Sequence, residues 1–201
     1  MTDEHELPLL PTEYDLICKA CPDHRILLAA LHVDDWNDDL SPWPAPPVFG
    51  NQAFGGRAAQ TLADVRDTFL PLVREKIAAP EQARYLIGGY SLAALFALYA
   101  CYETTLFTAC AAASPSVWFP GWTDYAEQHT MHADAIYLSL GDKESHAKNK
   151  TMARVGNCIE AQTKLLADAG KQTTLVWNAG GHFKDSAKRT ADAFAWCIQH
   201  R

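Results

Sequence analysis

Arg84-Tyr-Leu-Ile-Gly-Gly-Tyr-Ser-Leu-Ala-Ala-Leu-Phe-Ala-Leu-Tyr-Ala-Cys-Tyr102 is the stretch on which the fold turns. The run Tyr85 to Tyr102 carries no charge over 18 residues, near the length that crosses a bilayer. Gly88, Gly89 and Ser91 divide it. Arg84 to Tyr90 reads as a buried strand and Ser91 to Tyr102 as a buried helix, joined by a sharp turn. Gly89-Tyr90-Ser91-Leu92-Ala93 at that turn matches the nucleophile-elbow pattern Gly-x-Ser-x-Gly, with Ala in the last place. Small residues on both sides let a strand bend abruptly into a helix and hold the serine hydroxyl outward in a strained conformation.

The alternation continues on both sides. Downstream, strands are expected at Phe107 to Ala113, Ile136 to Leu140 and Thr173 to Asn178. Helices are expected at Trp122 to His129, Thr151 to Ala169 and Phe183 to His200. Upstream, Ala58 to Ala79 has a helical pattern that Pro71 kinks or breaks. Residues 33–56 form a long loop whose aromatics Trp36, Trp43 and Phe49 argue against disorder. Arg25 to Leu31 is a continuous apolar run that suits a strand buried on both faces. Thr12 to Ala20 has helical spacing, with Thr12 and Asp15 resembling a capping box and Pro22 as the stop. Strands alternating with helices predict an α/β fold: a mostly parallel sheet of about five strands, covered by helices on both faces in three layers. Function in such sheets gathers at the carboxyl ends of the strands.

The whole chain, 201 residues, is expected to form one domain. It is 48% hydrophobic and carries a net charge of −7, which disfavours nucleic acid and anionic membranes as partners. The acidic start, Thr2 to Glu6, lacks the pattern of a secretory leader, and six cysteines without one read as free thiols in a reducing cytoplasm. The Cys18-x-x-Cys21 and His129-x-x-His132 pairs lack the further ligands of a metal site, so no metal or cofactor is expected. Lys143, His146, Lys148, Lys150 and Arg154 read as a solvated basic face.

A serine hydroxyl is a weak nucleophile and needs a base, and that base needs an orienting group. After the strand ending at Leu140 comes Gly141-Asp142-Lys143-Glu144. After the strand ending at Asn178 comes Ala179-Gly180-Gly181-His182. The order Ser91, acid, His182 is that of the α/β-hydrolases. Either Asp142 or Glu144 can serve; the longer, later Glu144 reaches further and is preferred. The N–H of Leu92 at the helix start is one oxyanion donor. Tyr90, Trp36, Trp43 and Trp118 are the expected substrate-binding aromatics.

Residues Gly88 to Leu98 resemble the elbow of enterochelin-esterase-like, or esterase-D-like, α/β-hydrolases. Ser114-Pro115-Ser116-Val117-Trp118 resembles the Ser-Pro-Ser-aromatic segment of those esterases. Gly141 to Glu144, Gly180 to His182 and Asp39-Leu40-Ser41-Pro42 resemble their acidic loop, their histidine loop and an Asp-Leu-Thr-Pro stretch. The resemblance covers roughly residues 25–200 and implies serine-dependent ester hydrolysis of a small molecule, with Ser91, His182 and Glu144 as triad. By it, Arg25 to Leu31 aligns after the strand and loop that supply the second oxyanion donor, so the N-terminal strands are reduced. Thr2 to Glu6 or the loop at 33–37 would then replace that donor, or the site is incomplete. A lost edge strand would also favour pairing of two copies into a homodimer. The rival readings are a thioesterase or acyltransferase on the same site, and a hydrolase-fold protein that binds without catalysis.

Overall fold

The computed structural model describes residues 7–48, 50–77 and 82–200. The first helix, α1, spans Leu10–Ala20. The chain continues through α2 (Trp36–Leu40), the short strands β1 (Pro44–Ala45) and β2 (Phe54–Gly55), and α3 (Ala58–Asp64). A π turn, Val65–Phe69, leads into α4 (Leu70–Ile77). Then strand and helix alternate: β3 (Leu86–Tyr90), α5 (Leu92–Glu103), β4 (Ala109–Ala113), α6 (Trp122–Gln128), β5 (Ala135–Gly141), α7 (Val155–Asp168), β6 (Gln172–Asn178) and α8 (Ser186–Gln199).

Strands β3 to β6 form a parallel sheet in the order β3-β4-β5-β6. The register runs Tyr90 beside Ala113 beside Ser139 beside Val176. Their carboxyl ends therefore lie along one edge. The central strand β4 is Ala-Cys-Ala-Ala-Ala and is wholly buried. Its period of two sends Ala109, Ala111 and Ala113 to one face, where Ala193 and Cys197 of α8 meet them. Cys110 and Ala112 face the larger cluster with α5. Small side chains on both faces let helices on either side approach closely. Helix α5 is buried from Leu92 to Tyr102, as an element apolar all round requires.

Three expectations change. Arg25 to Leu31 is not a strand: it runs extended, outside the ladder, with Leu27 53% exposed. Ile26 and Leu31 rest on the protein while Leu27 and Ala29 face outward. An apolar run specifies that a segment seeks cover, but only a neighbouring strand supplies a ladder, so the sheet has four strands rather than about five. Helix α1 begins at Leu10 with Pro11 in its first turn, and no side chain caps it, so the Thr12–Asp15 box does not form. The loop at 33–56 contains α2 and the antiparallel pair β1–β2. Ser41 fastens it, donating to the Asn37 carbonyl at 2.6 Å and accepting from the Gly56 N–H at 2.8 Å.

The expected helix at 58–79 forms through Ile77, interrupted by the π turn just before Pro71. Proline offers no N–H to the carbonyl four residues back, and the ladder widens there. Residues 78 and 79, Phe49 and Thr2 to Glu6 lie outside the described residues. None of the six cysteines is joined in a disulfide. Among the described residues no helix is long and apolar enough to cross a membrane.

Candidate active site

Four segments converge at the carboxyl edge of the sheet, one after each of β3, β4, β5 and β6. Hydrogen bonds beyond the strand ends join them. The Ser91 N–H donates to the Ala113 carbonyl at 3.1 Å, and the Ser114 N–H to the Ser139 carbonyl at 2.9 Å. The Asp142 N–H donates to the Asn178 carbonyl at 2.8 Å, and the Lys143 N–H to the Gly180 carbonyl at 3.1 Å.

Ser91 sits between β3 and α5 at φ 58°, ψ −119°. A non-glycine residue at positive φ is strained, and the surrounding chain must impose it. Gly89 permits the turn: a Cβ there would lie 2.7 Å from the Cβ of Ala93. Leu92 is the first residue of α5, so its N–H has no acceptor within the helix and points out of the N-terminus with the favourable end of the dipole.

The Nε2 of His182 lies 3.0 Å from Ser91 Oγ, and its Nδ1 lies 2.7 Å from Glu144 Oε2. An ionised carboxylate only accepts, so Nδ1 carries the proton and Nε2 is left as an acceptor for the serine hydroxyl. Asp142, the other acid considered, turns aside: its Oδ1 accepts from the Gly180 N–H at 2.8 Å. It thereby secures the loop that bears His182.

The carboxylate of Glu144 is almost wholly buried, its side chain 5% exposed. Its Oε1 accepts from the Gly141 N–H at 2.7 Å, the Ser114 hydroxyl at 2.7 Å and Arg189 Nη2 at 2.9 Å. Burial works to raise its pKa, but the hydrogen bond and charge of His182, with the hydrogen bonds from Arg189 and the Gly141 N–H, prevail and hold it down at about 2.

The sequence reading missed several participants. Arg189, in the first turn of α8, is 3% exposed and meets both Glu144 and Ser114. Ser116 donates its N–H to the Ser91 carbonyl at 3.1 Å, and its hydroxyl is 3.4 Å from Ser91 Oγ. The Ser-Pro-Ser segment marked these two serines without giving them partners. No local signal marks Arg189, because an arginine seven residues beyond a histidine on a helix is ordinarily a surface residue.

The expected substrate-binding aromatics sit as follows. Tyr90 is 6% exposed, and its hydroxyl donates to the His182 carbonyl at 2.6 Å. Trp43 donates its indole N–H to the Pro120 carbonyl at 2.8 Å and packs on Phe119 and Tyr125. Trp118 is 9% exposed and meets Phe54 edge-on. Trp36 rests half-buried against the main core in α2, which itself packs on α5. The three tryptophans tie loops to the core. The large apolar ring standing open beside His182 is Phe183, 94% exposed, with its ring edge-on to the imidazole at 5.2 Å. His129 stacks on Tyr125, and among the described residues no group of His, Cys, Asp or Glu is arranged to hold a metal.

No family model matches the sequence, and no curated protein matches it. Solved structures do share its fold. The siderophore hydrolase EstA from Aspergillus nidulans superposes with a TM-score of 0.67 at 16% identity, over 96% of this chain and 80% of that one. The siderophore hydrolase EstB from Aspergillus nidulans gives 0.62 at 19% identity, over 80% of this chain and 63% of that one. The enterobactin esterase FES from Shigella flexneri gives 0.59 at 21% identity, over 70% of this chain but only 38% of that one. The chain has the α/β-hydrolase fold, and at the level of fold this bears out the resemblance carried by residues 88–98 and 114–118.

Proposed function

We propose that this chain is a serine-dependent hydrolase of a small carboxylic ester. The observation that carries the reading is the unbroken hydrogen-bonded path from Ser91 Oγ through His182 to Glu144, at 3.0 Å and 2.7 Å, with the serine held at positive φ on a strand-to-helix turn. The likeness in fold to two proteins named siderophore hydrolases and to one named an enterobactin esterase adds support.

Ser91 Oγ attacks the ester carbonyl as His182 Nε2 takes its proton. Glu144 holds the ring in the tautomer that can accept and stabilises the imidazolium that forms. The carbonyl oxygen becomes an oxyanion, met by the Leu92 N–H at the N-terminus of α5. The intermediate collapses, and His182 gives its proton to the departing alkoxide, releasing an alcohol. Water then attacks the acyl-serine, with His182 again as base, and the acid departs while the Ser91 hydroxyl is restored. Protein groups and water carry every step.

The test is labelling by a fluorophosphonate, read by intact mass and peptide mapping, with Ser91→Ala and His182→Ala as controls. The expected result is one adduct on Ser91, absent from both variants. A folded chain that takes no adduct would overturn the hydrolase reading in favour of a binding protein on the same fold. A screen of esters against thioesters with the labelled-competent chain then separates esterase from thioesterase.

A further inference from the structure

The buried guanidinium of Arg189 is what the ester-hydrolase chemistry does not use and simple stability does not account for. Its Nη2 donates to Glu144 Oε1 at 2.9 Å and to the Ser114 hydroxyl oxygen, and its Nη1 lies 3.5 Å from the Gly181 carbonyl. Its guanidinium carbon stands 5.4 Å from the centre of the Tyr90 ring. Its Nε, also buried, has no hydrogen-bond partner among the described residues. A buried ion pair is generally no more stabilising than well-packed apolar residues of the same volume, and an orphaned buried N–H counts against stability outright. The arrangement makes sense by what it does to Glu144. Three donors saturate Oε1, which leaves Oε2 directed at His182 Nδ1. The contact to Gly181 ties the loop of the base to the same cation that fixes the acid.

We propose that Arg189 is a positioning residue of this site: its guanidinium fork orients the Glu144 carboxylate toward His182 and offsets that buried negative charge, so that the imidazole is held in place against Ser91. The proposal rests on the reading of Ser91 as a nucleophile. Among the described residues the titratable groups facing the guanidinium are Glu144 and Tyr137 from the β5 side and Tyr90 from β3, while the loop after β6 meets it through the Gly181 carbonyl. Asp192, one turn further along α8, is engaged by Lys188. Arg189 is thus the fixed cation at the buried end of the Ser91–His182–Glu144 path. Removing a fixed cation from beside a buried carboxylate makes the site bind a proton more readily.

The experiment compares wild type with Arg189→Met and Arg189→Lys in the full chain. It reads the rate of Ser91 labelling by a fluorophosphonate from pH 5 to 9, the melting temperature, and the downfield imidazole N–H proton resonance, assigned by its loss in His182→Ala. Arg189→Met is expected to label about tenfold or more slowly at neutral pH. Its acid limb moves up by about one pH unit, and the downfield resonance is lost or displaced. Arg189→Lys restores the charge without the fork. It is expected to return the acid limb to the wild-type position while the rate stays below wild type.

A folded Arg189→Met with wild-type rate, limb and resonance would overturn the proposal. So would a rate that falls only in step with melting temperature at an unmoved limb. Should Arg189→Met not fold, Arg189→Lys decides: a wild-type rate overturns the need for the fork, and a reduced rate on an unmoved limb supports it. Wild type that fails to label overturns the hydrolase reading instead, and the proton resonance still reports whether Arg189 aligns Glu144 with His182.

Discussion

The hydroxyl of Tyr90 donates to the carbonyl oxygen of His182 at 2.6 Å, bridging two residues 92 apart in the chain. One belongs to the strand that presents Ser91, and the other carries the imidazole that faces it. The bond fixes the backbone of the His182 loop against β3, and with the hold of Asp142 and Arg189 on that loop it sets the distance between serine and histidine.

Tyr90→Phe removes that bond and leaves the half-buried His182 carbonyl without this partner. A cost of about 1 kcal/mol is expected, seen as a fall in melting temperature of about 2–4 °C. Activity toward an aryl acetate is expected to fall more than stability does, by about tenfold in kcat with KM nearly unchanged, because a loosened base affects the transition state more than ground-state binding. Steady-state kinetics beside a melting curve would check it. A change in KM alone would contradict the positioning role.

Gly89→Ala introduces a Cβ 2.7 Å from the Ala93 Cβ and 3.0 Å from its backbone carbon. Both atoms belong to the first turn of a fully buried helix that cannot retreat. Overpacking of this kind is expected to cost about 1–3 kcal/mol by urea denaturation. Ala93→Gly in the same chain removes the nearest of these contacts, so the pair is expected to be less than additive in its cost. Strict additivity would mean that the elbow yields elsewhere.

Glu144 links stability to pH with a definite sign. Its folded pKa of about 2 lies below the ordinary 4.5. The contribution is therefore fully present above about pH 4.5 and is lost as pH falls toward 2, an amount on the order of 3 kcal/mol. In Glu144→Gln the titrating group is gone and Arg189 loses its counter-charge. The stability gap between wild type and Glu144→Gln is expected to be widest near neutral pH and to narrow steadily below about 4.5. Urea midpoints measured from pH 3 to 7 would show it. A gap constant across that range would mean that the carboxylate is not held ionised.

Phe183 offers the opposite combination. At 94% exposure its ring contributes little to packing, so Phe183→Ala is expected to shift stability by less than about 0.5 kcal/mol. It stands beside His182, and in the proposed reaction the alcohol leaves toward His182 to collect its proton. Across esters sharing one acyl group, the variant is expected to lose several-fold in kcat/KM for aryl alcohols and little for methanol, in keeping with about 1 kcal/mol from an aromatic contact. Equal losses for both would place the ring away from the leaving group.

Local chemistry made much of this protein legible before its structure. Gly88, Gly89 and Ser91 within an uncharged run can hardly be anything but a strand turning sharply into a helix. The strand-like stretches ending at Leu140 and Asn178, each with a glycine within the next two residues, marked the loops from which Glu144 and His182 come. These are short-range properties: periodicity, backbone freedom and side-chain size act within a few residues of one another. The run Arg25 to Leu31 shows where they stop, since an apolar segment and a paired strand differ only by the presence of a neighbour.

The tertiary structure decided everything that depends on strand order and register. It chose Glu144 over Asp142, because only the longer side chain reaches His182 once the shorter has taken the Gly180 N–H. It made Tyr90 a brace for the His182 loop. It also drew Arg189 inward to Ser114, 75 residues away, through the packing of α8 on β4. Nothing in a sequence window encodes such meetings. They follow from the parallel pairing of four strands, which brings their carboxyl ends to one edge and buries whatever charges gather beneath it.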